Sequence, residues 1–132
     1  MSHLVIEMKV KKIRPSFEDE RGTITDLLDD TTIVHAGIIT LKTNTVRGRH
    51  YHRKSKQYTY VLNGKIELIY KDLRKKNARK QSIILVPRDM VLIEPMMIHS
   101  LRSLEESTIL VFTSKARGGS GYENDTCRVE KL

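Results

Sequence analysis

An all-β chain folded as a sandwich or barrel of the jelly-roll kind is what this sequence predicts, on three observations. About nine short segments alternate apolar and polar residues, turn signals separate them at close spacing, and no window carries the period of an ordinary helix. Leu4, Ile6, Met8 and Val10 alternate with Val5, Glu7 and Lys9, which predicts a half-buried first strand. Asp19-Glu20-Arg21-Gly22 is a turn, and the β-prone run 23–28 follows it. Further strands are predicted at 33–41, 57–62, 65–70, 82–86, 90–93, 99–103 and 108–113. Asn63-Gly64 lies between two of these runs and predicts a hairpin, because both residues tolerate the positive φ of a type I′ turn. Pro87-Arg88-Asp89 marks another turn. With no internal repeat and no linker, one domain is expected over residues 1–132.

Composition excludes several function classes. Hydrophobic residues make up 39% of the chain and charged residues 30%, which is globular, and no apolar run is long enough to cross a bilayer. No membrane partner is expected. The N-terminal MSHLVIEMKVKK lacks a long apolar stretch followed by a small-residue cleavage site, so a cytoplasmic location is expected. One cysteine, Cys127, excludes an internal disulfide and a thiol-rich zinc site. A formal charge of +8 suits an anionic partner. Much of it crowds around Asn77, in Lys71, Arg74, Lys75, Lys76, Arg79 and Lys80. No aromatic is interleaved there for base stacking, so this reads as a solvated hairpin tip and no nucleic-acid partner is expected.

The chemistry concentrates in VRGRHYHRKSKQ, residues 46–57. On a strand, His50 and His52 present their imidazoles side by side while Tyr51 points to the other face. Gln57 opens the next strand and can return to the face of the pair, and His99 begins a later one. Three neutral imidazoles and one oxygen donor match what zinc, nickel, manganese or iron accept, with positions left for water or substrate. A base with its neighbour, or a solvated polar strand, fits the histidine pair as well. His3 and His35 stand alone and read as surface or locally satisfied residues.

His50-x-His52, then Gln57, then Gly64 resembles the first motif of the cupin superfamily, and Asp89 through Pro95 to His99 resembles a loose second motif. The resemblance implies a double-stranded β-helix, the jelly-roll barrel, which often holds one metal ion. Asp19-Glu20-Arg21-Gly22 before a strand, with Val46-Arg47-Gly48-Arg49-His50-Tyr51-His52, is similar to cupins of nucleotide-sugar biosynthesis. These are the dTDP-4-keto-6-deoxyhexose ketoisomerases, the 3,5-epimerases and, most similar, the C-terminal cupin domain of capsular UDP-sugar epimerase/reductases. The tail at 122–129 resembles that last group too, so the likeness runs over about residues 16–132.

The resemblance implies proton abstraction next to the carbonyl of a 4-keto hexose carried on a nucleoside diphosphate. His50 is then the candidate base, with His52 or a metal polarising the oxygen, and Tyr60 the candidate proton donor. Arg21, Arg47 and Arg49 are the candidate substrate-binding residues, Arg47 for the diphosphate or the enolate and Arg21 for the phosphates. His50, His52, Gln57 and His99 are the candidate ligands of one divalent ion, zinc first, with nickel, manganese or iron as alternatives. Gln57 stands where metal-binding cupins commonly carry glutamate, and ketoisomerase-like members with glutamine manage without metal. Two other classes compete: a metal cupin acting as a dioxygenase or on a small organic acid, and a non-enzymatic binding module. Tyr58, Tyr60 and Leu62 on the face opposite Gln57 predict a homodimer.

Overall fold

The computed structural model describes residues 8–116, 118–130 and 132. His3 and most of the first predicted strand, residues 4–7, lie outside them. The strands are β1 (Val10–Lys12), β2 (Phe17–Asp19), β3 (Gly22–Ile24), β4 (His35–Leu41), β5 (Val46–His52), β6 (Gln57–Asp72), β7 (Gln81–Leu85), β8 (Asp89–Ile93), β9 (Met97–Thr113) and β10 (Thr126–Arg128). One short helix, α1 (Gly121–Asp125), precedes β10. No helix among the described residues is long and apolar enough to cross a membrane.

Two long strands make the jelly roll. The first half of β6, residues 57–61, pairs with β8 and with residues 109–113 of β9, which in turn pair with β4; β1 extends this sheet beyond β8. The second half, residues 66–72, pairs with β7 and with residues 97–103 of β9, which continue to β5 and β10. Each long strand therefore serves both sheets, bending between them. Their inner faces enclose Leu41, Val61, Ile66, Leu68, Leu85, Val91, Ile109 and Val111, all buried. A smaller apolar cluster of Ile13, Tyr60 and Met90 lies apart from this core, with Leu27, Leu28, Tyr58, Leu110 and Phe112 packed on it.

The Asn63-Gly64 hairpin does not form. Lys65 pairs with Glu105 and Val61 with Ile109, both across to β9, so the chain runs on as one strand through Asn63-Gly64. Gly64 has φ +93 while Asn63 does not have positive φ, so the type I′ condition is met at one residue only. The glycine serves as the corner instead: a Cβ there would fall on the Ser107 side chain, whose Oγ accepts the Lys65 N–H at 3.0 Å. Val61 and Ile66 are five residues apart and would face opposite sides of a regular strand. The register shifts around Gly64 place both in the core. The separate strands predicted at 99–103 and 108–113 are likewise the two halves of β9. The basic tip at 73–80 does link a hairpin, β6 to β7.

Candidate active site

Two of the three clustered histidines come from β5, and a bulge aims them. Gly48 pairs with Ser100 and His50 with His99, so the register slips by one residue at Arg49. Gly48 has φ +100 and Arg49 φ +58. A side chain at Gly48 would be strained by that φ, and its Cβ would approach the His99 carbonyl oxygen to 2.9 Å. The Arg-Gly-Arg run before His50 is thus a backbone device that lets β5 press against His99.

The rings of His50 and His52 lie 4.8 Å apart, those of His50 and His99 4.7 Å, and those of His52 and His99 5.6 Å. One ring nitrogen from each falls within 4.8 Å of the others. His52 and His99 are buried, and each has its tautomer set by its partner. His99 donates from Nδ1 to the Met97 carbonyl at 3.0 Å, which can only accept, leaving the Nε2 lone pair free. Thr126 spends its hydroxyl proton on the Tyr122 carbonyl, so its Oγ1 accepts from Nδ1 of His52 at 3.2 Å. The Asp125 carboxylate stands 3.9 Å from the same Nδ1 and accepts the backbone N–H groups of Lys54 and Ser55, tying down the loop after His52. Burial, reinforced by the neighbouring His50, pushes the His99 pKa down from 6.5 to about 3, so this imidazole is neutral at working pH.

A cavity of about 170 Å³ opens on His50 and His99. From the other sheet come Gln57, Thr113, Val111 and Ile39, while Arg47 and Tyr122 complete the wall. Gln57 donates from Nε2 to Thr59 Oγ1 at 3.1 Å, which leaves its amide oxygen as the acceptor. Pockets for whole drug-sized ligands start at about 300 Å³. This one is smaller than that, and the exposed Arg47 stands on its wall.

Of the sequence-predicted residues, His50, His52 and His99 therefore cluster, and Gln57 and Arg47 share the cavity wall with His50 and His99. Three others do not reach the cavity. Tyr60 packs in the apolar cluster with Ile13 and Met90, because it points to the face of β6 opposite Gln57. Arg21 sits on the exposed β2–β3 ribbon, its guanidinium held 2.7 Å from Asp19. Arg49 is exposed at the bulge; the left-handed turn that directs His50 inward leaves it off the wall. Asp89, from the loose second motif, accepts the Val86 N–H and pairs with Lys12, closing a turn. Sequence reasoning assigned no role to Tyr122, Asp125 or Thr126. They sit on a five-residue helix and a three-residue strand, too short for any periodicity, and only the tail's family likeness marked them.

A jelly-roll barrel with a cluster of three histidines, two of them on the wall of the cavity between its sheets, defines a cupin-type fold. The sequence matches the Polysaccharide biosynthesis C-terminal domain family over residues 17–125, and the chain belongs to that family. No curated protein matches it. Among solved structures, it is similar to QdtA, a sugar 3,4-ketoisomerase from Thermoanaerobacterium thermosaccharolyticum solved with TDP: TM-score 0.75, 21% identity, covering 96% of this chain and 90% of that one. WlaRA, a TDP-fucose-3,4-ketoisomerase from Campylobacter jejuni, gives TM-score 0.75 at 19% identity over 92% and 89% of the two chains. The dTDP-4-dehydrorhamnose 3,5-epimerase of Sulfolobus tokodaii gives 0.75 at 18% over 97% and 80%. These likenesses establish the fold.

Proposed function

We propose that this protein is an isomerase of nucleotide-linked 4-keto sugars, an epimerase or ketoisomerase that moves a proton next to a carbonyl. The observation that carries this reading is the cavity itself: His50, on a wall shared with the neutral His99, beside Arg47 and Tyr122. Similar barrels solved with TDP and with TDP-4-keto-6-deoxyglucose support the substrate class.

The chemistry needs no redox partner. His50 takes the C–H proton at a carbon beside the C4 ketone, and the C–H electron pair moves to the carbonyl oxygen as an enolate. Return of a proton to the opposite face gives the epimer. Return to the former carbonyl carbon, with the neighbouring hydroxyl proton passing to the former carbonyl oxygen, gives the ketoisomer. Arg47 offers charge for the enolate or the diphosphate. Tyr122, a residue of the same wall, takes the place of Tyr60 as candidate proton donor.

The histidine cluster also fits a divalent ion, zinc first. Tetrahedral zinc with nitrogens at 2.0–2.1 Å needs them about 3.3 Å apart, and the three ring nitrogens already lie within 4.8 Å. The proton held on Nδ1 in His52 and His99 is the outer hydrogen bonding that ligating histidines use. His50, His52 and His99, with the Gln57 oxygen, would hold the ion. A bound ion supplies Lewis-acid stabilisation of the enolate oxygen. His50 cannot ligate and act as a free base together, so in that state Tyr122 moves the proton. A cytoplasmic location suits a nucleotide-sugar substrate.

Solvent deuterium should wash into dTDP-4-keto-6-deoxyglucose or its UDP counterpart at the carbons beside the ketone, read by mass spectrometry. Absence of exchange with every 4-keto nucleotide sugar offered removes the enzymatic reading.

We also infer a homodimer, on the sheet face opposite Gln57 that the sequence suggested, at its uncovered residues, Leu62 among them at 50% exposed. Tyr58 and Tyr60 are covered within the chain, by the cluster that includes Ile13, Leu27 and Leu28. The row Tyr60–Leu110–Ile38 ends on Ile38, which is 71% exposed, and Phe17 and Ile24 are exposed on the ribbon. Such apolar side chains are commonly covered by a twofold mate. Sedimentation is expected to give a dimer; a monomer at micromolar concentration removes this inference.

A further inference from the structure

We propose that His35, which stands next to the cavity wall rather than on it, is a ligand-binding residue that donates from Nε2 to an oxygen of the sugar; this rests on the nucleotide-sugar reading above. His35 lies directly across from Thr113 on β9, and Thr113 directly across from Gln57 on β6. Directly paired residues share a face, and Thr113 and Gln57 both line the cavity. One step along the same face the row is Gly37, Val111 and Thr59; the next begins with Ile39. Val111 and Ile39 also line the cavity.

The His35 ring leans along this face into space that only a glycine leaves. A Cβ at Gly37 would lie 3.2 Å from His35 Cε1, 3.4 Å from Nε2 and 3.6 Å from a methyl of Val111. The Cε1–Nε2 edge is thus the end of the ring that lies over Gly37, toward the wall formed by Val111 and Ile39.

The other nitrogen fixes what that edge offers. Nδ1 of His35 is buried and has no hydrogen-bond partner, the one such side-chain atom among the described residues. A neutral imidazole carries one proton. On Nδ1 it would be a buried donor with nothing to accept it, whereas an unfilled lone pair is the better tolerated defect. The proton therefore sits on Nε2. This is the reverse of His52 and His99, which hold Nδ1–H and present lone pairs. His35 is accordingly suited to neither metal ligation nor proton abstraction at Nε2. It suits an acceptor oxygen, the hydroxyl or carbonyl of a sugar seated in the cavity.

The test compares TDP with TDP-4-keto-6-deoxyglucose by calorimetry in the wild type, His35→Leu and His35→Gln. Loss of one hydrogen bond to the sugar should weaken the sugar nucleotide about 10-fold in His35→Leu, leave TDP unchanged, and be largely restored in His35→Gln, whose amide N–H can replace the donor. Equal loss for both ligands, or no loss for the sugar nucleotide, overturns the inference and leaves the nucleotide-sugar reading standing. If the wild type binds neither compound, that reading falls and the inference with it. Long-range proton–nitrogen spectra of the unliganded protein give a separate check: His35 should be the Nε2–H tautomer, and Nδ1–H overturns the proposal.

Discussion

Replacing His50 by asparagine is expected to lower deuterium exchange into a 4-keto nucleotide sugar by about 10² to 10⁴, the range that positioned acid–base groups contribute. The size of the effect follows from position: His50 belongs both to the histidine cluster and to the cavity wall, with one ring neighbour at 4.7 Å and the other at 4.8 Å. Asparagine keeps a polar side chain of similar reach but has no basic nitrogen, and its amide is a weak metal ligand. Exchange should therefore fall whether His50 is the base or holds an ion. Chelation separates the two. Exchange that survives complete metal removal but is lost in His50→Asn assigns the base, and exchange lost to the chelator and restored by zinc assigns the metal site. A His50→Asn protein that folds, melts as the wild type and still exchanges at the wild-type rate would show that the chemistry lies elsewhere.

The part of this site legible in the sequence is the part set by local spacing. A period of two put His50 and His52 on one face, and strand order sufficed to bring Gln57 toward them. What spacing could not reach depended on the route of the chain between the two sheets. Tyr60 looked available because alternation placed it opposite Gln57, but that face is covered by Ile13 and Met90, which come from distant parts of the chain. Arg21 follows the same logic: the turn was legible, and its separation from the cavity was not.

The misread Asn63-Gly64 pair shows how tertiary demand overrides a turn signal. A hairpin there would have paired 57–62 with 65–70 and left β9 without its longest partner. Continuing the strand buries Val61 and Ile66 in one core, and the positive φ that glycine allows goes into a corner. His35 is the converse case. Nothing local distinguishes it from a surface histidine; its significance depends on Gly37, Val111 and an unfilled Nδ1, all consequences of β4 lying beside β9.

The metal-free protein is expected to lose stability steadily as pH falls from about 6.5 toward 3, with His99 as the chief cause. The folded state holds His99 neutral down to about pH 3, whereas in the unfolded chain it takes a proton near pH 6.5. Between those values the unfolded state binds one more proton, so acid favours unfolding. The contribution is complete above the unfolded pKa and gone below the folded one. The slope approaches about 1.4 kcal/mol per pH unit, for a total on the order of 4–5 kcal/mol, a large share of a small domain's stability. The carboxylates act in a different window. Asp72, held below its usual 3.8 by Arg74, loses its contribution only as pH falls below about 4. The interval from 6.5 to about 4.5 is therefore a histidine window, and removing the His99 imidazole isolates its share of it. Denaturant titrations of chelated protein across that interval should show the decline in the wild type and a distinctly shallower one in His99→Gln, whatever the absolute stability of that variant. Parallel profiles for the two proteins would mean that the buried imidazole is not what makes the fold acid-sensitive.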